Sequence, residues 1–220
     1  DIYGDTAVVQ AHSVGMYRSR DAVCDALRRV YGGALAAVYD KSAQTLPYKA
    51  DTGACDGYLY GEDGTTERIG TENGNRFHDD WGAGQKTGFF LDQRENRELV
   101  RRYSSGRAVL NTFSYTGGFS VYALAGGAER VVSVDSSAGA VRLAERNVAL
   151  NFGDGAPHEG VAVDAFDYLK GMDGSFDLVI LDPPAFAKHH KVLGNAMKGY
   201  MRLNARALSQ IAPGGILFTF

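Results

Sequence analysis

Residues 176–186 read Phe176-Asp177-Leu178-Val179-Ile180-Leu181-Asp182-Pro183-Pro184-Ala185-Phe186. The apolar first part is strand-sized and suits a strand buried on both faces. It ends by presenting the carboxylate of Asp182. Pro183 and Pro184 then stiffen the backbone and remove two N–H donors, leaving carbonyls free to accept. Phe186 follows within stacking reach. A carboxylate, bare carbonyls and a ring together suit a flat polar substrate such as a nucleobase, whereas a proline-stiffened loop is the bland alternative.

On either side of this stretch, strands and helices alternate from about Ala108. Ala108 to Phe113 reads as a buried strand, and Gly117-Gly118 opens a helix that Gly126-Gly127 stops. Val131 to Asp135 is a second strand, and Ser136 or Ser137 caps a helix with Val141, Ala144 and Val148 on its apolar face. Val161 to Asp164 is expected as the third strand, ahead of the one ending at Leu181. A helix from Gly194 to Ile211 and a strand from Ile216 complete the pattern. Such alternation implies an α/β fold, a parallel sheet covered on both faces. Three of its strands end in an acid: Asp135, Asp164 and Asp182. Ligands of open α/β sheets sit beyond the carboxyl ends of the strands, so these acids mark one candidate site.

Residues 1–75 differ. Thr6 to His12 and Ala34 to Tyr39 read as strands around an amphipathic helix from Arg20 to Val30. Tyr58 to Tyr60 and Glu67 to Ile69 flank Gly61-Glu62-Asp63-Gly64, a hairpin signal. This is a small α+β module, with a boundary near residues 72–84.

Composition narrows the function. The 220 residues carry 23 basic and 26 acidic side chains, a net charge of −3, which argues against a free-standing nucleic-acid binder. No apolar run approaches the ~20 residues of a membrane span. Cys24 and Cys55 have neither C-x-x-C spacing nor a histidine at zinc-ligand distance, so no metal is expected and a reducing cytosol is the better compartment. Both ends, Asp1 and Phe220, look cut.

Phe113-Ser114-Tyr115-Thr116-Gly117-Gly118-Phe119 forms a glycine turn between a strand and a helix, and Asp135 is the next strand's acid, suited to a ribose diol. A dinucleotide would need G-x-G-x-x-G; here Gly117 and Gly118 are adjacent. S-adenosylmethionine has ribose and adenine but no pyrophosphate, and Asp164 is placed for the adenine amino group. That cofactor is favoured over NAD. Gly82 to Gly88 resembles the end of a phosphate-binding loop but has Gln85 where that loop needs glycine.

Gln85-Lys86-Thr87-Gly88-Phe89-Phe90-Leu91-Asp92-Gln93-Arg94-Glu95-Asn96-Arg97, Asn111 to Phe119 and Asp182 to Phe186 together resemble the large-subunit ribosomal RNA cytosine-carbon-5 methyltransferases. The resemblance covers nearly the whole chain. It implies a Rossmann-like class I methyltransferase sheet, C-terminally incomplete, over residues 76–220, and a small N-terminal α+β domain over 1–75. It further implies that Lys86, Thr87, Gly88 and Phe90 help close over S-adenosylmethionine, and that Tyr115, Thr116 and Gly117 line its methionine end. Asp135 would hold the ribose and Asp164 with Ala165 and Phe166 the adenine. Asp182 would face the methyl group and the target base, beside Pro183, Pro184 and Phe186. Phosphate contacts are expected from Arg94, Arg97, Arg101, Arg102, Lys188, Lys191, Lys198 and Arg202, although Arg94 and Arg97 also suit a solvated helix face. His189-His190 reads as a loop and not a metal site.

Two departures stand out. The family's N-terminal PUA domain is absent, and its nucleophilic cysteine is expected just past Phe220, so weak cofactor binding without methyl transfer is expected of these residues alone. The partner expected is large-subunit ribosomal RNA, with no membrane and an open oligomeric state, a homodimer included. The alternatives are a guanine or adenine nitrogen methyltransferase acting on RNA and a non-catalytic Rossmann-like RNA-binding module.

Overall fold

The computed structural model describes residues 1–47, 53–61, 64–172, 174–186 and 193–220. Lys188, His189, His190 and Lys191 lie outside these, as do Glu62 and Asp63. The chain divides into two compact units: Asp1–Gly70 with His78–Asp92, and Thr71–Phe77 with Gln93–Phe220.

In the first unit β1 (Ile2–Tyr3), β2 (Thr6–Val9), β3 (Ala37–Asp40) and β4 (Gly57–Tyr60) make a sheet in that order, with β2 and β3 parallel and the outer pairs antiparallel. Helices α1 (Val14–Arg18) and α2 (Arg20–Tyr31) separate β2 from β3. Cys24 on α2 packs with Ala7, Leu35 and Val38. The anticipated hairpin is corrected: β4 joins β3, whereas β5 (Glu67–Glu72) pairs with β6 (Asn75–Asp80). The β5–β6 turn is Asn73-Gly74, both with positive φ (49° and 83°). Asn-Gly adopts that geometry more readily than most pairs. The hairpin's base belongs to the first unit and its tip to the second.

The second unit continues with α3 (Arg94–Tyr103), β7 (Ala108–Thr112), α4 (Gly118–Ala125), β8 (Arg130–Asp135), α5 (Ala138–Phe152), β9 (His158–Ala162), α6 (Ala165–Lys170), β10 (Leu178–Leu181), α7 (Leu193–Gln210) and β11 (Ile216–Thr219). Its five strands are all parallel, in the order β11-β10-β7-β8-β9. This is the doubly wound α/β sheet that the alternation implied. Successive residues of β10 enter opposite cores: Leu178 and Ile180 pack with Val109, Val131, Phe119 and Val100, while Val179 and Leu181 pack with Leu110, Val132, Leu203 and Ala207. Helices therefore cover both faces, which is why this strand is apolar throughout.

One strand differs from expectation. β9 starts at His158 and ends at Ala162, so Asp164 lies beyond it as the N-cap of α6. Its side chain accepts from the N–H groups of Phe166 and Asp167, and such local bonding competes with strand pairing.

Candidate functional site

Because the strands of the second unit are parallel, their carboxyl ends share one edge. Asp182 follows β10, the turn from Phe113 to Gly117 follows β7, Asp135 ends β8, and Asp164 stands two residues past β9. The acids expected together do fall along this rim, on strands adjacent in the order β10-β7-β8-β9.

The turn after β7 has a backbone few sequences would choose. Phe113, Tyr115 and Gly117 all have positive φ (56°, 45° and 72°), and Ser114 and Thr116 do not share it. Left-handed conformations cost a non-glycine residue roughly 1–2 kcal/mol, so the surrounding packing imposes them. The N–H groups of this turn are used within the protein: Ser114 donates to the Val134 carbonyl at 3.0 Å, Tyr115 to the Asp135 carboxylate at 3.0 Å and Gly117 to the Ser114 carbonyl at 2.8 Å. Gly117 has a further reason to be glycine: a Cβ there would lie 2.6 Å from the Ala144 Cβ. The residue expected to line a cofactor also lets α5 approach the turn.

Asp135 is clamped by this turn. One carboxylate oxygen accepts from the Tyr115 N–H at 3.0 Å and the other from the Ser137 N–H at 2.9 Å. Each oxygen keeps acceptor capacity, so the group is oriented yet able to take two more hydroxyls. Nearby in the chain, the Ser114 hydroxyl is buried with no partner among the described residues. A buried hydroxyl without a partner at a ligand-binding edge suits a polar group brought by a ligand. Oriented carboxylate and orphan hydroxyl fit an adenosyl cofactor, which brings ribose hydroxyls and a polar amino-acid end.

Asp164 is exposed and one oxygen is engaged as the α6 cap, at 2.8 Å from the Phe166 N–H. Ala165 is buried, and Phe166 is half-buried against the sheet, 6.2 Å from Phe186 between ring centroids. Asp182 and Pro183 are half-buried and Pro184 is exposed. Phe186 leans on α7: its ring lies 4.5 Å from that of Tyr200, and its N–H donates to the Tyr200 hydroxyl at 3.3 Å.

Lys86, Thr87, Gly88 and Phe90 belong to the first unit. There the Lys86 ammonium lies 4.8 Å from the Phe90 ring centroid, and the Phe89 carbonyl accepts from the Tyr3 hydroxyl at 2.6 Å. Lys86 has positive φ (48°) and Gly88 a φ of 121°.

The arginines of α3 depart from the phosphate-binding expectation. Arg97 is 3% exposed and grips Glu72 through two nitrogens at 2.8 and 2.7 Å. Arg94 reaches the same carboxylate at 3.2 Å and the Tyr122 hydroxyl donates to it at 2.9 Å. Burial pushes the Glu72 carboxyl up, but Arg97, Tyr122 and Arg94 together outweigh it and hold the group below the usual carboxylate range. Burial and the Glu72 charge push Tyr122 up to about 12. Arg101 and Arg102 pair with Glu98 at 3.6 and 3.9 Å. Arg97 is thus a structural ion, not a solvated or phosphate-facing one.

Sequence reasoning also missed a buried polar chain beneath the rim. The Asn111 amide donates to Ser120 at 2.9 Å, Ser120 meets Ser133 at 2.7 Å, and Ser133 meets the His158 Nε2 at 2.8 Å. The signal available was a polar residue at a buried strand position, Asn111 in Val-Leu-Asn-Thr and Ser133 in Val-Val-Ser-Val. Among the described residues no cluster of three His, Cys, Asp or Glu could hold a metal, and no helix is long and apolar enough to cross a membrane.

The family model of S-adenosylmethionine-dependent methyltransferases matches residues 25–220. The Aeromonas salmonicida ribosomal RNA large subunit methyltransferase I is 39% identical over 223 residues, covering 100% of this chain and 56% of that protein. A ribosomal RNA large subunit methyltransferase of Deinococcus radiodurans is 49% identical over 172 residues, 76% of this chain and 42% of that one. The chain thus spans about half the length of the curated relatives it matches. A methyltransferase crystallised with SAH superposes with a TM-score of 0.82 at 31% identity, covering 100% of this chain and 56% of the other. With the rim geometry and the match to 25–220 in agreement, the chain belongs to the S-adenosylmethionine-dependent methyltransferase family.

Proposed function

We propose that this chain is the cofactor- and base-binding part of an enzyme that methylates carbon-5 of a cytosine in large-subunit ribosomal RNA. Residues 76–220 would bind the cofactor and residues 1–75 would serve the substrate side. The single observation that carries the cofactor half is the Asp135 carboxylate, fixed by the N–H groups of Tyr115 and Ser137 with capacity left for a ribose diol. The names of the two relatives support large-subunit ribosomal RNA as the substrate. The resemblance of Lys86 to Arg97 and of Asp182 to Phe186 supports cytosine.

S-adenosylmethionine, when bound, supplies a methyl group on a positively charged sulfur. Asp135 would accept from the ribose hydroxyls, and Tyr115, Thr116 and Gly117 would line the amino-acid end. Asp164, with Ala165 and Phe166, would receive the adenine; for Lys86, Thr87, Gly88 and Phe90 a part in closing over the cofactor rests on the resemblance alone. Asp182 and the Pro183 carbonyl would accept from the amino group of the base, with Pro184 and Phe186 bounding its plane. The base must leave its stack to reach them. Carbon-5 of a pyrimidine is a weak nucleophile until a thiolate adds to carbon-6. Cys24 does not suit that task, since it is 5% exposed and burial pushes its thiol up; exposed Cys55 is not assigned it either.

The second reading, methylation of a purine nitrogen, is favoured by the same carboxylate and carbonyl, which would accept from an amino group without any cysteine. Mass spectrometry of ribosomal RNA nucleosides from cells lacking the gene separates the two. Loss of one 5-methylcytidine is expected; loss of a methylated purine would replace it. In calorimetry, Asp135→Ala should weaken S-adenosylhomocysteine binding at least about tenfold, as removal of a charged hydrogen-bond acceptor costs ~1.5–3 kcal/mol. Unchanged affinity would remove Asp135 from the site.

A further inference from the structure

Helix α7 is 18 residues long and contains no acidic residue. Lys198, Arg202 and Arg206 recur every four residues, so they share one face, ~6 Å apart along the axis. All three are exposed. Among the described residues none has an acidic partner, whereas Arg94 and Arg97 are taken by Glu72, Arg101 and Arg102 by Glu98, and Lys170 by Asp167. Arg206 was not anticipated from the sequence. Met197 and Met201, 55% and 67% exposed, flank the cations, and flexible thioethers adapt to surfaces of varied shape.

The other side of the same helix is committed to the site. Ala196, Leu203 and Ala207 are buried in the sheet core. Gly199 and Tyr200 hold Phe186 at the end of the Asp182–Phe186 loop, and a Cβ on Gly199 would come within 3.1 Å of that ring. One rigid element therefore carries the loop on its inner side and unpaired positive charge on its outer side. On a chain of net charge −3, three neighbouring cations with no acid on the same helix make a local positive surface complementary to a polyanion.

We infer that the outer face of α7 is a track for the backbone of the substrate RNA, with Lys198, Arg202 and Arg206 each engaging a phosphate. The inference rests on the RNA methyltransferase reading above and assigns that substrate a contact surface. Each phosphate neutralised releases condensed counterions, which changes the slope of log affinity against log salt by ~0.7 per contact for a single strand.

The test is fluorescence anisotropy of a labelled single-stranded large-subunit rRNA oligonucleotide across about 50–200 mM salt, the range in which such slopes are read. The unaltered 220-residue chain is compared with Lys198→Gln/Arg202→Gln/Arg206→Gln. The slope should shrink by about 2 in the triple variant and persist in Arg202→Lys/Arg206→Lys. It should also persist in Arg101→Gln/Arg102→Gln, whose cations already have partners. An unchanged slope in the triple variant, or no measurable RNA binding by the unaltered chain, would overturn the inference. Tighter binding of polyglutamate than of the RNA at equal charge concentration would overturn it too, and point to an acidic protein partner. Calorimetry with S-adenosylhomocysteine, run on the same proteins, should give equal affinities. Failure of the unaltered chain to bind it would count against the methyltransferase reading, while the salt slope alone decides whether α7 contacts RNA.

Discussion

Among single residues, two arginines three positions apart at the start of α3 show how burial overrides appearance. Arg94 and Arg97 share Glu72, but the Arg94 side chain is 50% exposed and that of Arg97 3%. An exposed pair contributes ~0–1 kcal/mol, whereas removing one partner of a buried pair costs ~3–5 kcal/mol because the other charge is left uncompensated. Denaturant unfolding of Glu72→Ala or Arg97→Ala should therefore show a loss of about 3–5 kcal/mol, and Arg94→Ala a loss below about 1 kcal/mol. Equal losses for both arginines would mean that Arg97 is hydrated in solution. Nothing in Arg-Glu-Asn-Arg-Glu distinguishes the two residues; only the carboxylate of Glu72, far earlier in the chain, does.

Among elements, the strand-turn-helix unit of β7 and α4 was legible because Gly117-Gly118 interrupts two periodic runs. The conformation inside the turn was not, since Phe113 and Tyr115 are aromatic residues that ordinarily avoid positive φ. Gly117 makes the coupling to α5 testable. Gly117→Ala combines a left-handed φ of 72° with a contact 2.6 Å from the Ala144 Cβ. The expected loss is roughly 2–4 kcal/mol, part backbone and part overpacking. Ala144→Gly alone costs ~1 kcal/mol of helix propensity, but in the Gly117→Ala background it should relieve the overpacking. A double-mutant cycle in urea should give a favourable coupling of at least ~1 kcal/mol. Additive losses would show that the α5 contact does not limit this position.

Across the whole second unit, two ionisations make stability fall with acid in overlapping windows. Burial lowers His158 to about 4 from an ordinary 6.5, so between those values the unfolded chain binds more protons and stability rises with pH. The His158 contribution is complete above 6.5 and is lost toward 4, at a slope of no more than ~1.4 kcal/mol per pH unit. Glu72, held below its ordinary 4.5, contributes above that value and loses its effect as pH falls through the folded value. Urea unfolding from pH 7 down to about 4.5 should show the first loss, and His158→Asn should flatten it. A flat profile in the unaltered protein would mean that His158 is hydrated. Net charge across the molecule told little, because its −3 averages paired arginines on α3 with unpaired cations on α7.

Alternation of apolar strands with helices was enough to specify the doubly wound sheet. Parallel pairing then sends the residues after Leu181, Thr112, Val134 and Ala162 to one edge. That much follows from local periodicity, which the chain writes along its own length. The use made of polar atoms was settled later, once packing had fixed their surroundings: Asp164 as a helix cap, Arg97 as a buried ion, Phe186 leaning on Tyr200, Ser114 left without a partner among the described residues. These roles turn on local backbone geometry, on groups distant in sequence or on the removal of water, and none of the three is encoded in the spacing of neighbouring residues.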